Sequence, residues 1–141
     1  MTRRSEVVER LADVDLFLRC TKRDLRIVAR HAERTTIPAG TAVVWQGDTG
    51  DAFFLLLSGQ ATVERDGVTV AELGPGDFFG ELALLDPAPR AATVTVTVPS
   101  ELAVLGARMF KVLLRELPAL SAGMLASLAQ RARQAGAVGH E

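Results

Sequence analysis

The sequence predicts a mainly β domain with helices at both of its ends. Glycine-containing turn motifs interrupt the chain at short intervals from about Thr35 to Gly106, which is typical of the short strands of a sandwich or a barrel. Apolar residues follow a helical period before this region and again after it. The length of 141 residues fits one domain. We expect a single domain over 1–141, with helices over about 5–33, strands over about 35–106 and C-terminal helices over about 107–135.

Two helices are predicted before the strands. The first is indicated by apolar residues at helical spacing, which are Val7, Leu11, Val14 and Leu18. Thr21 precedes Lys22-Arg23-Asp24 and is a good N-cap for the second helix, because its hydroxyl can accept a backbone N–H. The apolar period of this second helix continues through Leu25, Val28 and Ala29.

Local signals also divide the strand region. Asp66-Gly67 separates two strand-like segments and is typical of a two-residue hairpin turn. Thr93–Val98 alternates between threonine and valine, which predicts one buried and one solvated face. Gly47–Asp51 is interpreted as an ordinary turn, since a calcium loop needs more oxygen ligands. The aromatic residues of this region are predicted to be core residues: Trp45, Phe53 and Phe54.

Two helices are predicted after the strands. Arg108–Leu117 places apolar residues on one side of the first, and Pro118 begins the second, since proline is tolerated in the first helical turn. The second helix carries a stripe of Leu120, Met124 and Leu128. Gly123 lowers its intrinsic stability by about 1 kcal/mol relative to alanine, which suits a mobile element. We expect the tail from Gly136 onward to be frayed.

The segment from Gly80 to Arg90 has the properties of an anion-binding cassette. A glycine opens a short helical turn whose free N–H groups can face a phosphate. Arg90 offers a fixed, charged fork that fits phosphate oxygens, and Glu81 can accept hydrogen bonds from sugar hydroxyls. The spacing of Glu81 and Arg90 is equally compatible with a structural ion pair. As a binding site, the segment matches a nucleotide with one charged phosphate.

This segment resembles the phosphate-binding cassette of the cyclic nucleotide-binding domain family. The resemblance rests on Phe79-Gly80-Glu81-Leu82-Ala83-Leu84-Leu85 and on Pro89-Arg90-Ala91-Ala92-Thr93-Val94. It runs from about Leu11 to Leu128 and includes the turn motifs around Pro38-Ala39-Gly40, Gln46–Phe54 and Leu57-Ser58-Gly59. The chain departs from many members at Pro87, where they carry glycine. Proline fixes φ and removes an N–H that the ligand could use.

The resemblance implies a fold and a set of ligand-binding residues. The fold is an eight-stranded antiparallel β-roll, or jelly roll, with N-terminal helices and C-terminal lid helices. The cyclic phosphate would bind Arg90 and the short helix that begins at Gly80 and includes Leu82 and Ala83, and Glu81 would bind the ribose 2′-hydroxyl. Candidates for the remaining contacts are Val63 and Val70 beneath the purine, because they alternate inward from the hairpin turn, and Arg131 over the ligand.

The expected ligand is cyclic AMP, with cyclic GMP as the weaker one. In the family, a serine or threonine directly after the arginine favours guanine, and this chain has Ala91 there. No cofactor and no metal are expected. The ligand would bias the position of the C-terminal helices and so an unknown effector protein or domain. The stripe on the last helix has a second interpretation as the seam of a homodimer.

Composition and residue types limit the other function classes. The net charge of −1 argues against nucleic-acid binding, and no signal peptide or apolar run of membrane length is visible. With Cys20 as the one cysteine, interpreted as a packing residue, we expect a cytoplasmic chain. Its two histidines, of which His31 is predicted to be solvated, cannot build a cupin-type metal site or a nucleophile triad, so we do not expect an enzyme.

Two non-enzymatic alternatives to the sensor hypothesis can be compared, and the first of them, a transcription factor, is not expected for the chain as it stands. A transcription factor would need a helix-turn-helix after the long last helix, and this chain ends near there. A degenerate domain of the same fold, which only mediates protein contacts, is the stronger alternative. Ligand binding discriminates it from a sensor directly.

Overall fold

The computed structural model describes residues 3–80 and 88–139. Helices α1 (Arg3–Leu11) and α2 (Lys22–His31), with a 3₁₀ turn at Asp15–Phe17 between them, precede the strands, and α3 (Ala107–Glu116) and α4 (Pro118–Gly139) follow them. The strands are β1 Glu33–Ile37, β2 Ala42–Val44, β3 Thr49–Gly50, β4 Ala52–Ser58, β5 Ala61–Arg65, β6 Val68–Leu73, β7 Phe78–Phe79, β8 Ala88–Pro89, β9 Thr93–Val96 and β10 Ser100–Gly106. The predicted mainly β fold with helices at both ends is confirmed.

The strands form antiparallel sheets that face each other as a β-roll. One sheet has the order β1-β10-β4-β7, the second has the order β2-β9-β5-β6, and β3 pairs with β8. The described residues thus contain ten strand segments where eight strands were expected, and three of them are only two residues long. The strand region also begins at Glu33, slightly earlier than predicted.

The hairpin between β5 and β6 has the predicted two-residue turn. Arg65 pairs with Val68 across it, and both central residues have positive φ, at 55° for Asp66 and 81° for Gly67. This is the backbone of a type I′ turn, whose twist matches that of the flanking strands. A bulge follows between Val63 and Glu64, so the simple inward alternation from the turn ends there.

The main core lies between the helices and the sheet that contains β4. Phe53, Leu55 and Leu57 of β4 face the helices, and Phe53 packs edge-on against Phe17 with ring centroids 6.0 Å apart. Each such fully buried side chain contributes about 1.5–3 kcal/mol of hydrophobic stabilisation. A smaller cluster of Ala61, Val94 and Val96 forms the inner side of the other sheet.

Two predictions of apolar faces hold only in part. Val7, Leu11 and Val14 are buried, but Leu18 is 60% exposed, because α1 ends at Leu11 and the 3₁₀ turn interrupts the helical period. Val98 is exposed as well, because β9 ends at Val96 and the strict alternation ends with it.

The second helix begins with the predicted cap. The Thr21 hydroxyl accepts from the Asp24 N–H at 3.1 Å, and the Asp24 carboxylate accepts from the Thr21 N–H at 3.0 Å. This reciprocal pair is a capping box. It fixes where α2 begins and leaves Leu25, Val28 and Ala29 buried, as predicted.

The last helix is anchored to the main core at its start. It begins at Pro118 as predicted but continues to Gly139, through the tail that was expected to fray. Leu120 and Met124 are buried in the main core. A Cβ on Gly123 would overlap the carbonyl oxygen of Leu16 in the 3₁₀ turn. Gly123 therefore allows the helix and the turn to approach closely, which is a packing role rather than the softening that was predicted.

Within the described residues, none of the helices combines the length and apolarity that crossing a bilayer requires.

Candidate functional site

The candidate site is built around Arg90, whose main chain is fixed by neighbouring strands. It directly follows β8, which pairs with β3 through Thr49↔Pro89 and Gly50↔Ala88. The Arg90 N–H donates to the Asp48 carbonyl at 2.7 Å, and the Arg90 carbonyl accepts from the Gly47 N–H at 2.8 Å. Both hydrogen-bonding groups of its peptide backbone are thus held by one loop, which sets the point from which the side chain extends.

The Arg90 side chain lies in a cradle made possible by two glycines. A Cβ on Gly50 would overlap the guanidinium, and a Cβ on Gly80 would lie 2.7 Å from its Nη1 and 2.6 Å from the Ala52 carbonyl oxygen. Gly80 also has a φ of +85°, which L side chains rarely adopt. Both positions therefore require glycine for the arginine to fit.

Within the described residues, the hydrogen-bonding groups of the guanidinium are only partly satisfied. Its Nη2 donates to the Ala52 carbonyl at 3.0 Å, and its Cζ lies 5.8 Å from the centroid of the Phe54 ring, within cation–π range. Its Nε is buried and has no hydrogen-bond partner among the described residues. A buried donor without an acceptor is costly, so an anion that brings acceptor oxygens would complete the site.

Burial also affects the charge of this arginine. Burial lowers the pKa of the Arg90 guanidinium below its ordinary value, and the Asp51 carboxylate partly offsets that effect by favouring the charged form. An arginine stays protonated under all ordinary conditions. The charge is therefore present and, among residues 3–80 and 88–139, is compensated only in part, by Asp51. It also lies beside a cavity, as expected of an anion site.

A cavity of about 240 Å³ lies beside Arg90. Its walls come from the end of β2, the loop before β4, and β4 itself, and include Trp45, Asp51 and Phe54. Phe54 is held in the wall by stacking on Phe79, with ring centroids 5.0 Å apart. Phe53 and Phe54 are neighbours on a strand, so their side chains point to opposite faces of the sheet. Phe53 packs in the main core, and Phe54 lines this cavity.

Comparison with known proteins identifies the architecture. A model of the cyclic nucleotide-binding domain matches residues 34–116, a range that contains the cradle, the cavity and Arg90. The chain belongs to the cyclic nucleotide-binding domain family. The resemblance inferred from the sequence motifs is thereby confirmed.

Individual relatives agree with this assignment. The cyclic AMP receptor protein of Thermus thermophilus is 33% identical over 125 residues, which cover 85% of this chain and 58% of that protein. A cAMP-dependent protein kinase regulatory subunit of Aspergillus niger is 48% identical over 89 residues, 62% of this chain and 22% of the subunit. The chain thus spans less than two thirds of the length of either relative. Both are regulatory proteins rather than enzymes.

A solved structure shows the same fold with a ligand. The regulatory domain of Toxoplasma gondii protein kinase A, solved with cAMP, superposes with a TM-score of 0.73 at 35% identity and covers 79% of this chain and 44% of that one. The similarity of fold confirms the β-roll with flanking helices.

The structure of the domain brings together some of the predicted site residues. Gly80 and Arg90 are in contact, and Ala91 follows on the exposed surface. Val63 is half-buried beside the small cluster of the second sheet, whereas Val70 is 51% exposed on β6. Three predicted ligands, Glu81, Leu82 and Ala83, lie outside the described residues, as does Pro87. Arg131 belongs to α4, and its side chain lies outside the description.

Other predictions about single residues have clear outcomes. Trp45 was predicted to be a core residue and is 59% exposed on the cavity wall, so that prediction is wrong. Cys20 packs against the main core as predicted. Burial, together with the Asp24 carboxylate, raises the pKa of the Cys20 thiol to about 11, so the thiol stays protonated at neutral pH. His31 is exposed, as predicted.

Sequence reasoning missed the residues that support Arg90. Gly50, Asp51 and Ala52 surround its side chain, yet they are about 40 positions away in the chain, since Ala52 and Arg90 are separated by 38 residues. Gly50 and Asp51 were assigned to an ordinary turn, and Ala52 was given no role at the site. The available signal was Gly50 itself, because a glycine next to strand residues often marks a close approach by another group.

Proposed function

We propose that this domain binds a cyclic purine mononucleotide, with Arg90 as the main phosphate ligand. The observation that carries the proposal is the partly buried guanidinium beside a cavity, with an Nε that has no hydrogen-bond partner among residues 3–80 and 88–139. Gly80 would open the phosphate-binding turn, and Leu82, Ala83 and Glu81 would supply its N–H groups and the ribose contact. Val63 and Val70 would contact the purine, which would cover the exposed side chain of Val70.

Titration calorimetry of the unaltered chain with cyclic AMP and cyclic GMP tests this proposal. Saturable one-to-one binding of either nucleotide supports a sensor. An absence of heat and of any thermal stabilisation at millimolar nucleotide would instead favour a degenerate domain that only mediates protein contacts. If a nucleotide binds, the nucleotide-bound domain would be used to search for the downstream effector and for any dimer formed through α4.

We expect cyclic AMP to bind more tightly than cyclic GMP. Ala91 has no hydroxyl to offer the exocyclic amine of guanine, so cyclic GMP lacks about one hydrogen bond, worth roughly 0.5–1.5 kcal/mol. Ala91→Thr should narrow this gap by strengthening cyclic GMP binding while leaving cyclic AMP nearly unchanged. Competition titrations on both proteins measure the gap. A tighter complex with cyclic GMP in the unaltered chain would contradict the preference.

We further propose that ligand binding changes the order of the distal part of α4. Leu120 and Met124 are already buried in the core, so the start of this helix is an anchor. Leu125 is 69% exposed and Arg131 lies further along, which makes the segment after Met124 the candidate lid.

Hydrogen exchange with and without cyclic AMP measures this effect. We expect new protection to begin after Met124 and to include Arg131, with little change over 118–124. The measurement must be made where the chain is monomeric, because a dimer seam along α4 would give protection of its own. Protection confined to residues 80–93 would mean that α4 is a passive scaffold.

A further inference from the structure

The tip of the β5–β6 hairpin is attached to the loop that follows β2. The side-chain amide of Gln46 makes two hydrogen bonds to one residue of the turn. Its Nε2 donates to Oδ1 of Asp66 at 2.8 Å, and its Oε1 accepts from the Asp66 N–H at 2.8 Å. The main-chain N–H of Gln46 donates to the Thr93 hydroxyl at 2.9 Å. Gln46 is thereby fixed through both its side chain and its backbone.

The same loop holds the peptide groups on both sides of Arg90. Gly47, directly after Gln46, donates to the Arg90 carbonyl, and the next carbonyl, that of Asp48, accepts from the Arg90 N–H. On the far side, Arg65 of the hairpin donates from Nε to the Ala91 carbonyl at 3.3 Å. The hairpin tip therefore contacts the chain that carries the phosphate-binding arginine both through Gln46 and directly.

We infer that Gln46 and Asp66 are positioning residues, which hold the loop that fixes the backbone of Arg90 and so place its guanidinium for the ligand. This inference rests on the proposed role of Arg90. Neither side chain lines the cavity. A binding group has to be held within about 0.5 Å of its productive position. The guanidinium lies directly against Gly50 and Gly80, where even an added Cβ would overlap it or approach it within 2.7 Å, so a small shift of the backbone at Arg90 changes what the side chain can reach.

The location of Gln46 and Asp66 indicates that they position Arg90 rather than stabilise the whole fold. The paired hydrogen bonds of Gln46 and Asp66 are exposed, and the two residues lie outside both apolar clusters. Exposed hydrogen bonds add little net stability, since water replaces them readily. Disrupting this pair should therefore affect the position of Arg90 much more than the free energy of unfolding.

Gln46→Glu is the variant that tests the inference. It keeps the shape and the Oε1 acceptor but places a carboxylate oxygen where the donor Nε2 faced the Asp66 carboxylate. We expect the Kd for cyclic AMP to rise about three- to tenfold, the range that corresponds to losing one hydrogen bond between the displaced Arg90 and the ligand. The double variant Gln46→Glu/Asp66→Asn exchanges donor and acceptor and should recover the affinity. Asparagine also tolerates the positive φ of position 66.

Gln60→Glu is the matched control. It makes the same chemical change and adds the same charge at an exposed glutamine, whose side chain has no hydrogen bond within the described residues. We expect it to bind cyclic AMP as the unaltered chain does. A second measurement needs no ligand: amide hydrogen exchange at Gly47 and Arg90 should be faster in Gln46→Glu, return to normal in the double variant, and leave the amides of β4 unchanged.

The outcomes distinguish this inference from the function on which it rests. Failure of the unaltered chain to bind either nucleotide would overturn the proposed function, and the exchange measurement would still decide whether the hairpin fixes Arg90. Unchanged affinity or unchanged exchange at Arg90 in Gln46→Glu would overturn the inference. So would an undiminished effect of Gln46→Glu in an Arg90→Lys background, because residues that act through one group are not additive.

Discussion

Replacing Arg90 with alanine is expected to weaken cyclic AMP binding by about 1.5–3 kcal/mol, the range for a hydrogen bond to a charged group. This corresponds to roughly a ten- to hundredfold rise in Kd. The same substitution removes a partly buried cation whose Nε is buried and, in the part of the chain that the structure describes, has no hydrogen-bond partner. We therefore expect the unliganded variant to be no less stable than the unaltered chain, since a buried donor without an acceptor and a partly desolvated charge oppose folding.

Calorimetry and thermal unfolding with and without nucleotide measure the two effects together. Arg30→Ala, at an exposed position on α2, is the control for loss of one positive charge. The affinity of Arg90→Lys for cyclic AMP should lie between those of the unaltered chain and Arg90→Ala, because lysine keeps the charge and loses the planar fork. If Arg90→Ala binds as tightly as the unaltered chain and unfolds more easily, Arg90 is a structural residue and the phosphate assignment is wrong.

Gly123→Ala is expected to destabilise the domain by about 1–3 kcal/mol, the usual result of forcing an additional methyl group into a packed core. Intrinsic helix propensity alone predicts the opposite sign, a gain of about 1 kcal/mol for the same substitution. We expect the cost of overpacking to exceed the gain in helix propensity here, because the new methyl group meets the Leu16 backbone carbonyl, which cannot move aside as a flexible side chain could.

Urea unfolding followed by circular dichroism gives the free energies needed for this comparison. Gly74→Ala is the matched control, since a Cβ there meets open space, and its effect should stay within about 0.5 kcal/mol, as for other surface substitutions. A Gly123→Ala variant more stable than the unaltered chain would show that α4 and the 3₁₀ turn separate at little cost.

The parts of this fold that could be predicted from sequence are those specified by neighbouring residues. The Asp66-Gly67 turn, the Thr21 cap and the start of α4 at Pro118 each depend on a few consecutive side chains. Gly123 could not be interpreted in the same way. Its role depends on a carbonyl in another element, so a local rule assigned it flexibility where the structure has a tight contact.

The residues of the candidate site also divide into those that a local motif predicts and those whose role depends on a distant part of the chain. Gly80 and Arg90 belong to one segment and were found through their motif. Gly50 and Ala52 reach Arg90 only because β3 pairs with β8, and no periodicity in the sequence indicates that pairing. Trp45 was placed in the core because large aromatic side chains are usually buried. It is exposed because it lies just beyond β2, at the wall of a cavity.

The exposed position of Trp45 makes the protein its own optical probe. The chain contains one tryptophan and no tyrosine, so its near-ultraviolet fluorescence comes almost entirely from a single indole. That indole lies on the cavity that also contains Arg90. Emission from the unlabelled protein therefore reports on this one location, and neither a dye nor an engineered fluorophore is required to follow events there.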